Sequence, residues 1–381
     1  MKLSKYLLGD LIQQRREKNS FDGLPICGVT RDGFIPPKQQ DADTSLYNVF
    51  YKGDFVFNPA RMELNSIVFN DTYDKAICSS LYEVFYVKRT DIVVPEFLAL
   101  LVKQNWFTRY CEFLGSGSAR EYCRVANISE IEIELPPIEN QIEIAHQHKT
   151  LVERIALKKH INDNLEATTM SLYKSWFIDY EPFDLDNEGL PVGWCKVKLN
   201  DKLSTSTQSI NPQKMDCDFV WHYSIPAYDN DKLPSKDTPS SILSNKYIVP
   251  QNAILVSKLN PDTKRIWRSI PCFENAICST EFIVFSTKEP THRAFYYLLF
   301  NTGSFIDFLV SNATGSTNSR MRVKPTSSLA FEFICPPNEV IDSFCRKVEP
   351  LLQKIEENHL EIRKLKELIP IAVAKMMSSS R

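Results

Sequence analysis

AICS at residues 76–79 returns as AICS at residues 276–279, an offset of 200 residues. The same offset joins GS at 115–116 to GS at 315–316, Arg120 to Arg320, and LPPIE at 135–139 to CPPNE at 335–339. Several separated anchors in one register are typical of an internal repeat, the feature to look for before any other. The sequence therefore predicts one module written twice.

Around each AICS, short β-rich runs are followed by a helix-like stretch. SLYEVFYV (80–87) and TEFIVFS (280–286) follow the anchor, and their β-branched and aromatic residues favour strands. PEFLALLVKQNWFTRYCEFL (95–114) and THRAFYYLLFNTGSFIDFLV (291–310) come next with helical spacing. Each copy is therefore predicted to be a mixed α/β domain of about 140 residues.

Each copy ends in Pro-Pro, and a long helical pattern follows. Residues 138–176 contain neither glycine nor proline, and their apolar residues recur at spacings of three and four. A helix of about 40 residues is roughly 60 Å long, so one apolar stripe of that length needs a partner. We expect the helix of one copy to pair with that of the other as an antiparallel coiled coil, although each helix could instead pack on its own domain. Pro350 and Pro370 predict a start or kink near 349 and a bend near 369.

The predicted fold class is α+β, with two pseudo-repeated mixed α/β domains separated by two long helices that pair as an antiparallel coiled coil. The predicted divisions are a first domain at 1–137, a first helix at 138–180, a second domain at 181–336 and a second helix at 337–381.

Composition excludes several classes of protein. No run approaches the roughly 18 apolar residues of a membrane span, and the N-terminal apolar run is too short for a signal peptide. The ten cysteines form no CxxC pair, which argues against structural zinc and a disulfide framework and favours a reducing cytoplasm. A net charge of −2 leaves DNA binding open, because a basic face can be offset by acidic residues elsewhere.

Motifs of the common enzyme classes are missing from the sequence. It has no GxxxxGK[ST] nucleotide loop and no HExxH pair. The Pro-Pro pairs at 136–137 and 336–337 also lack the following aromatic residue that would hold a flipped adenine. We therefore expect no catalysis, no cofactor and no metal in this chain.

LPPIENQIEIA (135–145), KSWFIDYEPF (174–183) and GLPVGW (189–194) resemble the specificity subunit of type I restriction–modification systems, and the resemblance covers the whole chain in order. It implies two target recognition domains, each reading one half of a split, asymmetric DNA target. It also implies a helix pair that sets the gap between the halves and binds two methyltransferase subunits. Restriction subunits with translocase activity would join that core, and S-adenosylmethionine, ATP and Mg would be bound by those partner subunits. The resemblance also implies a bacterial or archaeal cytoplasm.

The second copy departs from the pattern at two places. It reads CPPNEVIDSF where the first reads LPPIENQIEI, and the second helix ends in KMMSSSR, without a counterpart of IDYEPF. If that motif is a docking surface, the chain has it only once.

Local excesses of cations and amides indicate DNA contacts, because these side chains neutralise phosphates and read base edges. The alternative is that they are solvated charges of surface loops. The turns at 115–120 and 315–320 occur in both copies and are expected to contact the backbone or to be structural. Sequence-specific contacts are expected where the copies differ, at 55–75 and 255–275. The candidates are Asn58, Arg61, Asn65, Arg120 and Arg124 in the first copy and Lys258, Lys264, Arg265, Arg268, Asn318, Arg320, Arg322 and Lys324 in the second.

An aromatic cluster lies at the end of the first helix: Trp176, Phe177, Tyr180 and Phe183. It offers anchors for a methyltransferase subunit, since aromatic side chains dominate interface energetics. It could equally cap the helix pair or pack on the second domain.

Two other classes of protein compete with a non-catalytic DNA-specificity subunit. One is a coiled-coil interaction scaffold without DNA specificity, and the other is an enzyme whose site is assembled from scattered residues. The DNA-binding interpretation predicts affinity that falls steeply with salt, and the scaffold predicts no such binding.

Overall fold

The structure is a computed structural model that describes residues 3–37, 43–115, 122–315 and 321–378; for residues 115 and 372–378 it describes the backbone alone. The chain divides into two compact units, the first made of residues 1–153 and 367–381 and the second of residues 154–366. Among the described residues, no helix combines the length and the apolar character needed to cross a membrane.

The first unit contains a four-stranded sheet ordered β2-β9-β6-β7, a four-stranded sheet ordered β4-β3-β8-β5, and the pair β1-β10. Its strands are β1 (Ser4–Leu7), β2 (Ile12–Arg15), β3 (Ile26–Thr30), β4 (Gly33–Ile35), β5 (Asn48–Tyr51), β6 (Asp54–Phe57), β7 (Ile67–Phe69), β8 (Lys75–Cys78), β9 (Glu83–Val87) and β10 (Glu132–Leu135). Its helices are α1 (Leu8–Leu11), a 3-10 turn (Pro59–Leu64), α2 (Pro95–Val102), α3 (Asn105–Gly115), α4 (Val125–Ser129) and the start of α5 (Ile138–Phe177).

The second unit has the sheets β12-β20-β17-β18 and β13-β16-β19-β14-β15 and the pair β11-β21. Its strands are β11 (Cys195–Lys198), β12 (Leu203–Ser206), β13 (Ser209–Ile210), β14 (Val220–Tyr223), β15 (Ser235–Asp237), β16 (Lys246–Ile248), β17 (Ala253–Ser257), β18 (Ile266–Arg268), β19 (Ala276–Cys278), β20 (Phe282–Thr287) and β21 (Glu332–Cys335). Its helices are α6 (Ile225–Asp231), α7 (Arg293–Phe300), α8 (Gly303–Ser311), α9 (Pro325–Ser328) and α10 (Asn338–Ser378), with 3-10 turns at Leu199–Asp201, Pro212–Lys214, Pro239–Ser241 and Pro290–His292.

The two units repeat one topology. In each, the strand that contains Ala-Ile-Cys is paired on both sides, once parallel and once antiparallel: β8 lies between β3 and β5, and β19 lies between β14 and β16. A strand that is paired along both edges lies in the middle of its sheet, a position typical of short apolar strands. The predicted internal repeat is therefore present as a repeated strand order, and the second copy adds β13 and α6.

One strand in each unit separates two apolar clusters. Phe55 and Phe57 of β6 pack in the cluster that includes α2, whereas Val56 between them packs in a smaller cluster on the other face. In β17, Ile254 and Val256 face one cluster and Leu255 the other. Alternation of side chains along a strand explains why continuous apolar runs such as DFVF and AILVS are buried on both faces.

In the second unit the long helices pack against each other in antiparallel directions. Lys158 lies beside Asn358, Asn162 beside Ile355, and Tyr173 beside Phe344, so the partner number falls as the first number rises. The supercoil of a coiled coil stays a prediction. Not all of the apolar stripe is buried, since Ile142, Val152 and Ile161 of α5 are 55%, 45% and 37% exposed.

Of the start or kink predicted near 349, the start is wrong, because α10 begins at Asn338 and runs through both Pro350 and Pro370. The kink near 349 and the bend near 369 stay predictions. Pro350 removes one backbone hydrogen bond from the helix interior. The neighbouring residues Val348 and Leu352 are buried in the core of the second unit, and this packing offsets the loss.

Candidate nucleic-acid interface

Three of the predicted cations line one open groove in the second unit, with a volume of about 690 Å³. Lys258 follows β17, and Lys324 directly precedes α9. Arg322 lies between them, because its backbone forms bridges to Leu259 and Thr314. The fold thus brings together side chains that are more than 60 residues apart in the sequence.

Glu281, which also lines this groove, neutralises part of its positive charge. The guanidinium of Arg322 donates to both carboxylate oxygens of Glu281, at 3.0 and 3.1 Å, and this pairing raises the pKa of Arg322. The ammonium of Lys258 lies 5.6 Å from the centre of the Tyr247 ring, and burial lowers its pKa. Lys324 is exposed, and its side chain forms no hydrogen bond or ion pair within the described part of the chain. The groove therefore presents a net positive edge.

Arg124 is the counterpart of Lys324 in the first unit. Arg124 directly precedes the short helix α4, and Lys324 directly precedes α9. The residue before each cation donates an equivalent backbone hydrogen bond, Cys123 to the carbonyl of Pro59 and Val323 to the carbonyl of Lys258. Arg124 is 63% exposed and donates to Glu83 at 3.1 Å, while the other carboxylate oxygen of Glu83 accepts from the start of α4. The repeat thus places one cation at the same position in both copies.

Two of the candidate contacts are buried. Arg268 is only 4% exposed in its side chain and pairs with Glu349 and, at 3.3 Å, with Glu356, both on α10. Asn65 is 6% exposed, has a left-handed backbone and donates to Val102 and Thr108. Because their polar groups are used inside the fold, we leave both residues out of the proposed interface.

The remaining candidates at 55–75 and 255–275 differ in whether their side chains already have partners within the fold. Asn58 caps the 3-10 turn by accepting from Ala60 at 3.1 Å. Arg265 forms a two-pronged pair with Asp229, at 2.7 and 2.9 Å. Arg61 and Lys264 are exposed and remain available.

A second group of cations in the first unit was not predicted. Arg31 and Lys103 line an open pocket of about 420 Å³ together with Arg61. The ammonium of Lys103 donates to the carbonyl of Arg31 at 2.7 Å, and burial together with the charge of Arg31 lowers its pKa to about 8. No sequence signal marks these two residues, because the pocket forms only when the turn after β3 meets the end of α2.

Arg120, Asn318 and Arg320 lie outside the described residues, so their predicted role stays a prediction. Within the described ranges, no three His, Cys, Asp or Glu side chains are grouped so as to hold a metal ion.

The aromatic cluster of α5 packs inside the second unit. Phe177 is 7% exposed, and its ring centre lies 4.6 Å from that of Phe344 and 4.9 Å from that of Phe295. Trp176, Tyr180 and Phe183 are partly buried around Trp194 and Phe344. The arrangement matches the alternative in which these residues pack on the second domain, and only their outer edges could meet a partner.

Comparison with known proteins agrees with this architecture. Residues 35–167 match the family model of the type I restriction modification DNA specificity domain. The MjaIX specificity subunit of a type I restriction enzyme from Methanocaldococcus jannaschii is 25% identical over 313 residues, which cover 75% of this chain and 69% of that protein. The HindI specificity subunit from Haemophilus influenzae is 20% identical over 458 aligned positions, covering 98% of both chains.

A crystal structure of a type I restriction–modification S subunit from M. genitalium matches the fold with a TM-score of 0.64 and 12% identity, covering 99% of this chain and 96% of that one. This likeness confirms the predicted fold class. Together with the relatives above, it confirms the resemblance to type I specificity subunits that the sequence indicated.

Proposed function

Because residues 35–167 carry a type I DNA specificity domain and the whole chain resembles type I specificity subunits, we propose that this protein is the DNA-recognition subunit of a type I restriction–modification complex. Each recognition domain reads one half of a bipartite, asymmetric target. The chain supplies recognition, and partner subunits supply catalysis.

The observation that carries this proposal is the repeated strand order with a cation at the same position in each copy, Arg124 and Lys324. Two copies of one fold present equivalent surfaces, and cations on such surfaces are the usual phosphate contacts of DNA-binding proteins. The turns between β6 and β7 and between β17 and β18 differ in sequence and in structure, with a 3-10 turn in the first copy alone. Unlike turns on a common frame support two different half-targets.

The long helices have the role of a spacer in this proposal. Their pairing fixes the gap between the half-targets and offers a surface to two methyltransferase subunits. Restriction subunits complete the complex, and S-adenosylmethionine, ATP and Mg are bound by the partners. The apolar residues of α5 that remain exposed, Ile142, Val152 and Ile161, support a helix surface that a partner covers.

The decisive experiment is co-expression with the methyltransferase subunit, followed by mapping of methylated adenines in the host DNA. A single motif with two defined halves and a fixed gap is the expected result. No modification, or a continuous palindrome, would contradict the proposal. An interaction scaffold without DNA specificity would leave the DNA unmodified while still binding the methyltransferase subunit.

A further inference from the structure

A half-buried lysine lines the open pocket of the first unit. Lys103 directly follows α2, and its ammonium donates to the carbonyl oxygens of Arg31 at 2.7 Å and of Asn65 at 3.4 Å. In the described part of the chain, this ammonium forms no ion pair with a carboxylate. A charge in a partly buried site is costly unless an opposite charge accompanies it, so an anion bound here would stabilise the ammonium.

The charges around this ammonium leave the pocket positive. The charged residues that line the pocket with Lys103 come from two turns: Arg31, Asp32, Arg61 and Glu63. Burial lowers the pKa of Lys103 to about 8, with a further decrease from the charge of Arg31 and an increase from that of Asp32. The 11-residue helix α3 contributes uncharged side chains and begins at this pocket, where its N-terminal end adds a partial positive charge. Three cations against two carboxylates leave a net positive charge.

In the second copy, the corresponding place is filled by side chains of the same unit. Asn301 follows α7 as Lys103 follows α2, and its amide nitrogen donates to the carbonyl of Tyr297 at 2.7 Å. Tyr228 of α6 and Trp267 of β18 line the small cavity beside it, of about 100 Å³, with ring centres 5.0 Å apart. Since α6 is an addition of the second copy, the wide cationic pocket belongs to the first copy.

We propose that Arg31 and Lys103 hold one phosphate group in this pocket, so that the first recognition domain makes a backbone contact that the second does not repeat. The inference rests on the proposed function, because it takes DNA to be the source of the phosphate. Ammonium and guanidinium groups are the usual ligands of DNA phosphates. Arg61 lines the same pocket and keeps its predicted place in base recognition, so the bound phosphate positions the DNA backbone beside a side chain that reads bases.

A contact through Lys103 makes DNA affinity depend on pH. A phosphate beside the ammonium stabilises the charged form and raises its pKa, so DNA binding above about pH 8 takes up a proton. Affinity is therefore highest below the pKa of the free protein, about 8, and falls as the pH rises through it. We expect a loss of roughly five- to tenfold between about pH 7 and about pH 9.

The test measures DNA binding by the complex assembled with the methyltransferase subunit, using fluorescence anisotropy on a duplex that carries the methylated target, at constant ionic strength. Lys103→Arg stays charged over the whole range and is expected to keep most of its affinity without the loss between about pH 7 and about pH 9. Lys103→Met keeps an apolar stem without the charge and is expected to bind about tenfold more weakly at neutral pH, also without that loss. Lys52→Met, in the exposed turn at the other end of β6, is the matched control and should behave as the wild type.

A second measurement follows the lysine itself and identifies the source of the phosphate. Carbon-13 NMR of the lysine-labelled chain, with Lys103→Arg to assign the resonance, is expected to give a pKa of about 8 for Lys103 in the free protein. The duplex should raise this pKa. A rise with the duplex identifies the DNA backbone as the source, whereas a rise with inorganic phosphate alone assigns the site to a free phosphate.

The outcomes separate the inference from the proposed function. Equal pH dependence in the wild type and Lys103→Arg would overturn the DNA contact, and a pKa of Lys103 that neither ligand changes would overturn the phosphate site altogether. Absence of sequence-dependent DNA binding by the wild-type complex would overturn the proposed function. The pKa of Lys103 in inorganic phosphate would then decide on the phosphate site by itself.

Discussion

Arg268 shows at the scale of one residue how burial changes the role of a cation. Its guanidinium is enclosed between β18 and α10 and is paired with two carboxylates, so it is part of the core of the second unit. Arg265, three residues earlier, pairs with Asp229, which is 48% exposed. The two arginines look alike in the sequence, and only their surroundings distinguish them.

We predict that Arg268→Ala destabilises the second unit by about 3–5 kcal/mol, because it leaves Glu356 without its buried ion-pair partner and leaves Glu349 with Arg293 alone, at 3.8 Å. Arg265→Ala, the matched control, should cost no more than about 1 kcal/mol, as expected for a partly exposed pair. Urea unfolding of both variants measures the difference. Equal losses in the two variants would contradict the burial argument.

The loss should also depend on pH. Burial raises the pKa of Glu356 above its ordinary value, and Arg268 opposes that rise. A carboxyl group whose pKa is higher in the folded than in the unfolded protein destabilises the fold when it ionises. This cost grows as the pH rises above the pKa that the group has in the unfolded protein. Arg268→Ala is therefore expected to destabilise the protein more at about pH 8 than at about pH 5.

Lys324 represents the opposite situation, a cation that remains free at the surface. We predict that Lys324→Glu weakens DNA binding by the assembled complex about tenfold and lowers the slope of log affinity against log salt by about one. Lys288→Glu makes the same charge change at the far end of β20, away from the groove at Glu281, and should leave both quantities unchanged. Fluorescence anisotropy over a salt series measures both. An unaltered slope in Lys324→Glu would remove this residue from the interface.

At the scale of elements, the end of α5 is fixed by aromatic packing. Phe177 contacts Trp194, Phe295 and Phe344, which belong to three other segments of the second unit. The sequence places this phenylalanine in a helix, and the contacts explain why the helix ends against the domain.

We predict that Phe177→Ala lowers the stability of the second unit by about 3–5 kcal/mol, since a buried ring leaves a cavity. Ile178→Ala, at the next position and 50% exposed, should change stability by no more than about 0.5 kcal/mol. Thermal unfolding distinguishes the two. A stable Phe177→Ala variant that loses only binding of the methyltransferase subunit would instead favour a docking role.

At the scale of the whole molecule, the proposed function predicts that each half-target can be altered separately. Arg61 and Lys264 are exposed in the corresponding turns of the two copies. We predict that Arg61→Ala relaxes the sequence preference in one half of the methylated motif and Lys264→Ala in the other, because each turn belongs to one recognition domain only. Mapping methylated adenines reads out both halves together. Relaxation of both halves by one variant would argue against independent domains.

The duplicated order of elements and the long helices were predictable from the sequence, because periodicity and repeated anchors survive without knowledge of tertiary contacts. AICS and its surroundings predicted a common β-rich frame, and the structure contains that frame in both units. Residues 138–180 predicted a helix that the structure has at Ile138–Phe177. Pro350 made a helix start near 349 one of two expected outcomes, and the structure excludes that start, since the packing of the neighbouring residues outweighs one missing hydrogen bond.

The roles of individual side chains were decided by the tertiary structure alone. Charge and amide content cannot distinguish Lys324 at a groove from Arg268 inside a core, because the cost of burial depends on partners that are distant in the sequence. The same holds for Asn162 and Asn358, whose pairing across 196 residues no local pattern indicates. The sequence by itself determined that one module occurs twice and that a long helix follows each copy. Only the tertiary structure decided which cations remain exposed and which polar groups pair between the helices, because those outcomes depend on burial and on the partners that folding supplies.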